Sequence, residues 1–238
     1  MKNKDIKVVI LCGGLGSRLV EETKIKPKPM IKIGKLPILV HIMKIYYKRG
    51  FRNFILALGY KKDFIINYFK KTKFDEKWKL DMVDTGKKTL TAKRLLLLKN
   101  KLEKDKFFLL TYGDGVSNIN INNLINFHSK NKKIATVTAV RPPARFGQLK
   151  LKKNLVENFD EKNQINAGWI NGGFFIFNNE IFDFIPNKNT MLEREMMKNL
   201  TKKKQLIAYK HDGFWQCMDT LRDKILLNSY WKNKKNLW

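Results

Sequence analysis

Cysteine, histidine and acidic side chains are all scarce in this chain, and each scarcity removes a class of reading. Two cysteines, Cys12 and Cys217, occur in 238 residues, with no paired Cys/His spacing. Neither a disulfide framework nor a structural zinc site follows from them, and both thiols are expected to be reduced. The three histidines, His41, His128 and His211, show no triad or metal spacing and are read as structural or surface residues. No apolar stretch approaches the roughly 20 residues that a membrane helix requires. The first apolar run, Val8 to Cys12, is too short for a signal segment and has no cleavage site after it. A cytoplasmic protein without membrane contact is expected.

Acidic residues number 21 against 49 lysines and arginines, a formal charge of +28 with a pI near 10.0. Phosphate neutralisation drives nucleic-acid binding, so a nucleic acid or another anionic surface competes with a lysine-rich solvated surface as the explanation. The lysines fall in short scattered runs such as Lys70-Lys71 and Lys202-Lys203-Lys204. No helix-turn-helix, zinc-finger or RNP pattern accompanies them, which favours the solvated surface and no specific nucleic acid. Hydrophobic residues at 43% and aromatics at 12% place the chain among folded proteins rather than disordered ones.

Apolar β-rich runs alternate with amphipathic segments, the pattern of an α/β sheet covered by helices. Strands are expected over 7–11, 53–58, 79–84, 107–112, 134–140 and 169–177, and a hairpin over 147–152 and 155–159. Helices are expected over 37–49, 62–70, 91–100 and 122–130. Thr190 with Glu193 reads as a capping box that opens a helix to about residue 202, and Asp219-Thr220 as the cap of a last helix to about 231. With no linker and no internal repeat, a single domain over 1–238 is the simplest organisation. The hairpin suggests a mixed sheet.

Chemistry concentrates in a few blocks. Gly13-Gly14-Leu15-Gly16-Ser17-Arg18 follows the first strand, where backbone amides without Cβ atoms can approach phosphate oxygens. The loop lacks both the Gly-Lys-Ser/Thr ending of a P-loop and the third glycine of a dinucleotide fingerprint. Lys26-Pro27-Lys28-Pro29-Met30 stiffens two lysines with prolines, and Asp114 sits between glycines at the end of a strand. Read alone, Asp114 is an ordinary Asp-Gly turn and Asp219 a helix cap.

The block from Val8 to Pro37 resembles the sugar-1-phosphate nucleotidylyltransferase family. Val83-Asp84-Thr85-Gly86, Thr111-Tyr112-Gly113-Asp114-Gly115-Val116, Arg145-Phe146-Gly147, Ile170-Asn171-Gly172-Gly173-Phe174-Phe175 and Met218-Asp219-Thr220 extend the likeness along nearly the whole chain, in order. Within that family they are most similar to the cytidylyl-transferring branch that acts on glucose 1-phosphate.

The resemblance implies a three-layer Rossmann-like nucleotidyltransferase fold with a mixed, mostly parallel sheet. It implies transfer of a cytidylyl group from CTP to α-D-glucose 1-phosphate, giving CDP-glucose for surface polysaccharide, and a homo-oligomer. Another nucleoside triphosphate (UTP, dTTP or GTP) or sugar phosphate stays open, as does a nucleic-acid-binding protein without activity.

Residue by residue, Arg18 and Lys28 would be catalytic and Asp114 and Asp219 would hold Mg2+. Leu11, Cys12, Gly13, Gly14, Leu15, Gly16, Ser17, Thr89, Arg94 and Gly113 would bind the nucleotide, with Arg94 as a donor to cytosine. Glu161, Lys162, Asn171 and Gly172 would bind the sugar phosphate. The sequence departs from that pattern at Cys12 (usually alanine), at Asn163 and Cys217 (usually proline), and in a short 69–79 connection. The last leaves oligomeric state and nucleotide preference open.

Overall fold

The computed structural model describes residues 2–142, 148–160, 168–233 and 237–238. Strand β1 (Lys7–Cys12) is buried from Val8 onward. A glycine-rich loop follows, then a 3-10 turn (Ser17–Leu19), a single helical turn α1 (Val20–Thr23) and a second 3-10 turn (Lys28–Met30). The ribbon of β2 (Lys32–Ile33) and β3 (Leu36–Pro37) leads into α2 (Ile38–Tyr47), which starts after Pro37 and ends just before Gly50. Next come β4 (Asn53–Leu58), α3 (Lys62–Lys71) and β5 (Lys79–Asp84).

The helix expected over 91–100 is two short ones, α4 (Thr91–Leu96) and α5 (Lys99–Leu102). The break between them keeps Leu95, Leu98 and Leu102 all buried. Beyond it lie β6 (Phe107–Tyr112), β7 (Gly115–Ser117), and α6 (Ile121–Asn131), which is capped by the Asn120 side chain. The chain continues through β8 (Ala135–Val140), the hairpin β9 (Gln148–Lys152) and β10 (Leu155–Asp160), and β11 (Ile170–Asn178). It finishes with α7 (Met197–Lys202), β12 (Leu206–His211), β13 (Trp215–Cys217) and α8 (Leu221–Lys232).

Seven strands form one sheet in the order β12-β8-β11-β6-β1-β4-β5. Every neighbouring pair is parallel except the two made by β11, which runs antiparallel to both β6 and β8. The sheet is therefore mixed and mostly parallel, as expected.

Side chains alternate across it with the period of two that a pleated strand imposes. Val8, Ile10 and Cys12 join a core layer with α2, while Val9 and Leu11 join the opposite layer with α4 and α5. Helices on both faces make three layers, and burial of such large side chains is the dominant favourable term in folding, at about 25 cal/mol per Å2 of apolar surface.

One expectation is corrected, and one strand is added to those expected. Thr190 does not open a capped helix: a π turn (Leu192–Met196) begins after Met191, which makes no side-chain cap, and only then does α7 follow. The Glu193 carboxylate accepts instead from the Tyr112 hydroxyl. The edge strand β12 escapes a reading of the sequence because an edge needs no continuous apolar run, and its residues alternate between half-buried and exposed.

All three histidines are engaged by the fold. The His41 Nε2 faces the Ile33 carbonyl at 2.9 Å and its Nδ1 accepts from the Trp238 indole at 3.2 Å, which defines a neutral tautomer. His128 bridges the Thr136 hydroxyl and the Asn178 side-chain oxygen, each at 2.8 Å. His211 contacts the Ser117 hydroxyl at 3.1 Å. Burial, the largest cause in each case, pushes all three below the ordinary imidazole value of 6.5.

With folded values depressed, the unfolded chain binds more protons just below 6.5, so histidine-linked stability is present above that pH and lost as pH falls through the folded values. Denaturant unfolding should show stability dropping between about pH 7 and about pH 5, less steeply in His128→Gln. A flat profile over that range would contradict this account.

Candidate active site

The carboxyl end of β6 delivers Tyr112, Gly113 and Asp114, and the turn after β13 delivers Asp219. Pairing of β7 with β13, together with the Met218 amide donating to the Asp114 carbonyl at 2.8 Å, brings the two acidic residues to one place. Between them stands the Lys28 ammonium, 2.6 Å from Asp114 Oδ2 and 2.5 Å from Asp219 Oδ1. Arg18 adds a contact of 2.6 Å to Asp219 Oδ2 from the mouth of the site. Burial by itself would lower the Lys28 pKa, but attraction and hydrogen bonds from Asp114 and Asp219 outweigh it and hold the ammonium above its ordinary value.

The helix-cap reading of Asp219 fails on geometry. Thr220 is the N-cap of α8, in a capping box with Asp223. The buried Asp223 carboxylate accepts from the backbone amides of Asp219 at 3.0 Å and Thr220 at 2.8 Å, and from the Gln216 amide at 3.2 Å. Asp219 is thus aimed by Asp223 and keeps its own oxygens for Lys28 and Arg18. The Thr220-x-x-Asp223 spacing was the signal available in the sequence for this support.

Two cavities meet at these residues. One, of about 340 Å3, lies along the glycine-rich loop, and eight of the ten residues expected to bind nucleotide line it: Leu11, Cys12, Gly13, Gly14, Gly16, Thr89, Arg94 and Gly113. Leu15 is not among them and is exposed, and Ser17 begins the neighbouring 3-10 turn.

The other, of about 780 Å3, is lined by Asn171, Gly172 and Trp215 and shares Arg18, Tyr112 and Asp114 with the first. The Trp215 indole donates to the Gly172 carbonyl at 2.7 Å, fixing that wall. Glu161 and Lys162, and the Arg145-Phe146-Gly147 block, lie outside the described residues. No histidine lines either cavity among the described residues, and burial pushes the Cys217 thiol up to about 12, so it offers no thiolate at neutral pH.

Arg94 differs from its expected role. It is 2% exposed, and its guanidinium donates to the carbonyls of Leu58 (2.6 Å), Thr89 (2.6 Å), Gly86 (3.2 Å) and Gly13 (3.3 Å), and to the Thr85 hydroxyl. These contacts engage the N–H groups that a base would need. Arg94 ties the glycine-rich loop to the loop carrying Thr89 and builds the cleft wall from behind. A Cβ at Gly13 would lie 2.1 Å from the guanidinium carbon, so a larger residue there would push the Arg94 head group out of this position.

Comparison with known proteins gives a consistent picture. The nucleotidyl transferase family model matches residues 7–232. The glucose-1-phosphate cytidylyltransferase of Salmonella typhimurium is 43% identical, covering 98% of each chain, and the probable glucose-1-phosphate cytidylyltransferase of Bacillus subtilis is 41% identical, covering 98% of this chain and 99% of that one.

Among solved structures, HddC from Yersinia pseudotuberculosis complexed with GMP-PN superposes with a TM-score of 0.74 at 23% identity, covering 95% of this chain and 99% of that one. A putative glucose-1-phosphate thymidylyltransferase from Bacillus anthracis gives a TM-score of 0.73 at 19% identity, covering 94% of each. At such identities the two structures attest the fold.

Replacing Arg94 with methionine removes the donors to Gly86 and Thr89 within a buried site, at about 1–3 kcal/mol for each group left unpaired. Arg94→Met should therefore lose at least about 2 kcal/mol of unfolding free energy. A loss below about 1 kcal/mol would show that the arginine is not the clamp described.

Proposed function

The chain belongs to the nucleotidyl transferase family, and on that premise we propose that it transfers a cytidylyl group from CTP to α-D-glucose 1-phosphate, giving CDP-glucose and pyrophosphate. The observation that carries this reading is the meeting of Lys28, Arg18, Asp114 and Asp219 where the glycine-lined cleft joins the larger cavity. Full-length likeness to two cytidylyltransferases supports the choice of base and sugar.

Gly13, Gly14 and Gly16 present backbone to the polyphosphate, with Leu11, Cys12, Gly113 and Thr89 completing the nucleotide wall that Arg94 holds in place. Lys28 and Arg18 neutralise charge growing on the α-phosphoryl group and the leaving pyrophosphate during in-line attack. The attacking group is the sugar phosphate, whose second pKa near 6 leaves it largely dianionic at neutral pH. No general base is needed, in keeping with a site lined by no histidine among the described residues.

The larger cavity takes the hexose, with Asn171 and Gly172 in its wall and Glu161 and Lys162 assigned to the same role. Two convergent carboxylates, Asp114 and Asp219, are the hard-oxygen donors that Mg2+ prefers, and Mg2+ commonly takes one or two of them and fills its octahedron with water and phosphate oxygens. Asp114 and Asp219 would hold Mg2+ there, and the ion would supply positive charge against that of the phosphates. A homo-oligomer goes with this reading, as does a cytoplasmic location, which the lack of a membrane-length apolar helix among the described residues permits.

Pyrophosphate release, measured with CTP, UTP, dTTP and GTP crossed against several sugar 1-phosphates, tests the reading: CTP with glucose 1-phosphate should be the fastest pair. A faster pair with another base or sugar would replace the substrates, and no release with any pair would remove the reaction. Asp114→Asn and Asp219→Asn should each lower turnover at least about a hundredfold while circular dichroism and Tm stay near wild type, because asparagine is a poorer ligand for a hard cation. Asp219→Asn does not disturb the α8 cap, which belongs to Thr220.

A further inference from the structure

We propose that Glu193 is a positioning residue for the sugar cavity, acting through the Tyr112 hydroxyl to fix which way the Asn171 side-chain amide faces; the role of the cavity rests on the function proposed above. Three segments far apart in sequence meet in this contact. The Tyr112 hydroxyl donates to Glu193 Oε1, the Asn171 amide nitrogen donates to the Tyr112 oxygen at 3.3 Å, and Asn171 Oδ1 accepts from the Gly173 amide at 2.8 Å.

The direction of every bond in this chain is dictated by its two ends. An ionised carboxylate only accepts, so Tyr112 has to donate to it, and the tyrosine oxygen is then left as an acceptor. A backbone amide only donates, so the Asn171 oxygen has to face Gly173 and its nitrogen has to face Tyr112. Asn171 lines the larger cavity, and after these two bonds it retains one N–H and one oxygen lone pair. A donor and an acceptor on one amide complement the hydroxyls of a hexose, each of which both donates and accepts.

The backbone is shaped for this arrangement. Asn171 sits where the pairing of β11 with β8 shifts register, an irregularity that re-aims side chains at a site rim. Gly173 has φ +77, and a Cβ there would lie 2.7 Å from the Tyr112 ring. Glu193 stands in the π turn, which is anchored to α4 by the Leu192 amide donating to the Thr91 hydroxyl at 2.9 Å. In a chain with 49 lysines and arginines, Glu193 makes no ion pair among the described residues and contacts a tyrosine hydroxyl instead.

Glu193→Lys and Glu193→Gln, both at an exposed position, test the inference. Lysine can only donate and reverses the relay, whereas the glutamine oxygen can still accept from Tyr112. The expected result is a KM for glucose 1-phosphate about tenfold higher in Glu193→Lys, with the KM for CTP and the Tm unchanged and Glu193→Gln close to wild type, the tenfold being what one mispaired polar group in a site costs. A KM for glucose 1-phosphate that does not move, or two KM values that rise together, would overturn the positioning role while leaving the function intact. If the wild-type protein releases no pyrophosphate with any substrate pair, the proposed function falls by itself. The relay is then decided by the side-chain amide NMR signal of Asn171 in the ligand-free protein, which should shift in Glu193→Lys and hold in Glu193→Gln; a signal unmoved in both overturns it.

Discussion

A lysine ammonium shared by two carboxylates at 2.6 and 2.5 Å is the contact on which the rest of this site is organised. Opposite charges this close attract one another even in a cleft that solvent reaches. The surrounding chain is arranged to keep all three together. A proline on each side of Lys28 stiffens its approach, the end of β6 supplies Asp114, and the capping box at the start of α8 supplies Asp219. Arg18 completes the balance, so that two cations face two anions inside a chain whose formal charge is +28. That surplus is left to the surface, where it raises the local concentration of anionic substrates over the roughly 8 Å that salt permits.

Support from behind matters as much as the groups that face the cavities. Asp223 holds the backbone of Asp219, Arg94 joins the glycine-rich loop to the Thr89 loop, and Trp215 pins Gly172. Each is a side chain whose polar atoms are turned toward the protein. They fix the distances between the residues that would meet substrate, where a displacement of about 1 Å can cost a hundredfold in rate. Both cavities inherit their position from the sheet, because β1 and β6 run parallel and adjacent and so release the glycine-rich loop and Asp114 at the same edge.

Much of this was legible in the sequence, and the reason is local. Buried parallel strands such as β1, β4 and β6 announce themselves as short apolar runs, and Gly13, Gly14 and Gly16 mark the loop that follows the first of them. What the sequence hid is long-range pairing. Nothing in the neighbourhood of Glu193 points to Tyr112; the spacing from Thr190 favoured a cap that the π turn displaced. Arg94 reads as a donor to the base until the loops closing over it are seen. Asp219 looked like a helix cap because it stands one residue before the true one, Thr220.

Lys28 stands between the two carboxylates, Asp114 and Asp219, that the proposed function assigns to a divalent cation. Where these carboxylates hold a divalent cation, as proposed, the Lys28 ammonium would compete with it for the same oxygens. The direct measurement is Mn2+ binding to the nucleotide-free protein, followed by calorimetry or electron paramagnetic resonance, in wild type and Lys28→Met. The account predicts tighter Mn2+ binding in Lys28→Met, because Asp114 loses its cation and Asp219 keeps only Arg18; equal or weaker binding in that variant would contradict it.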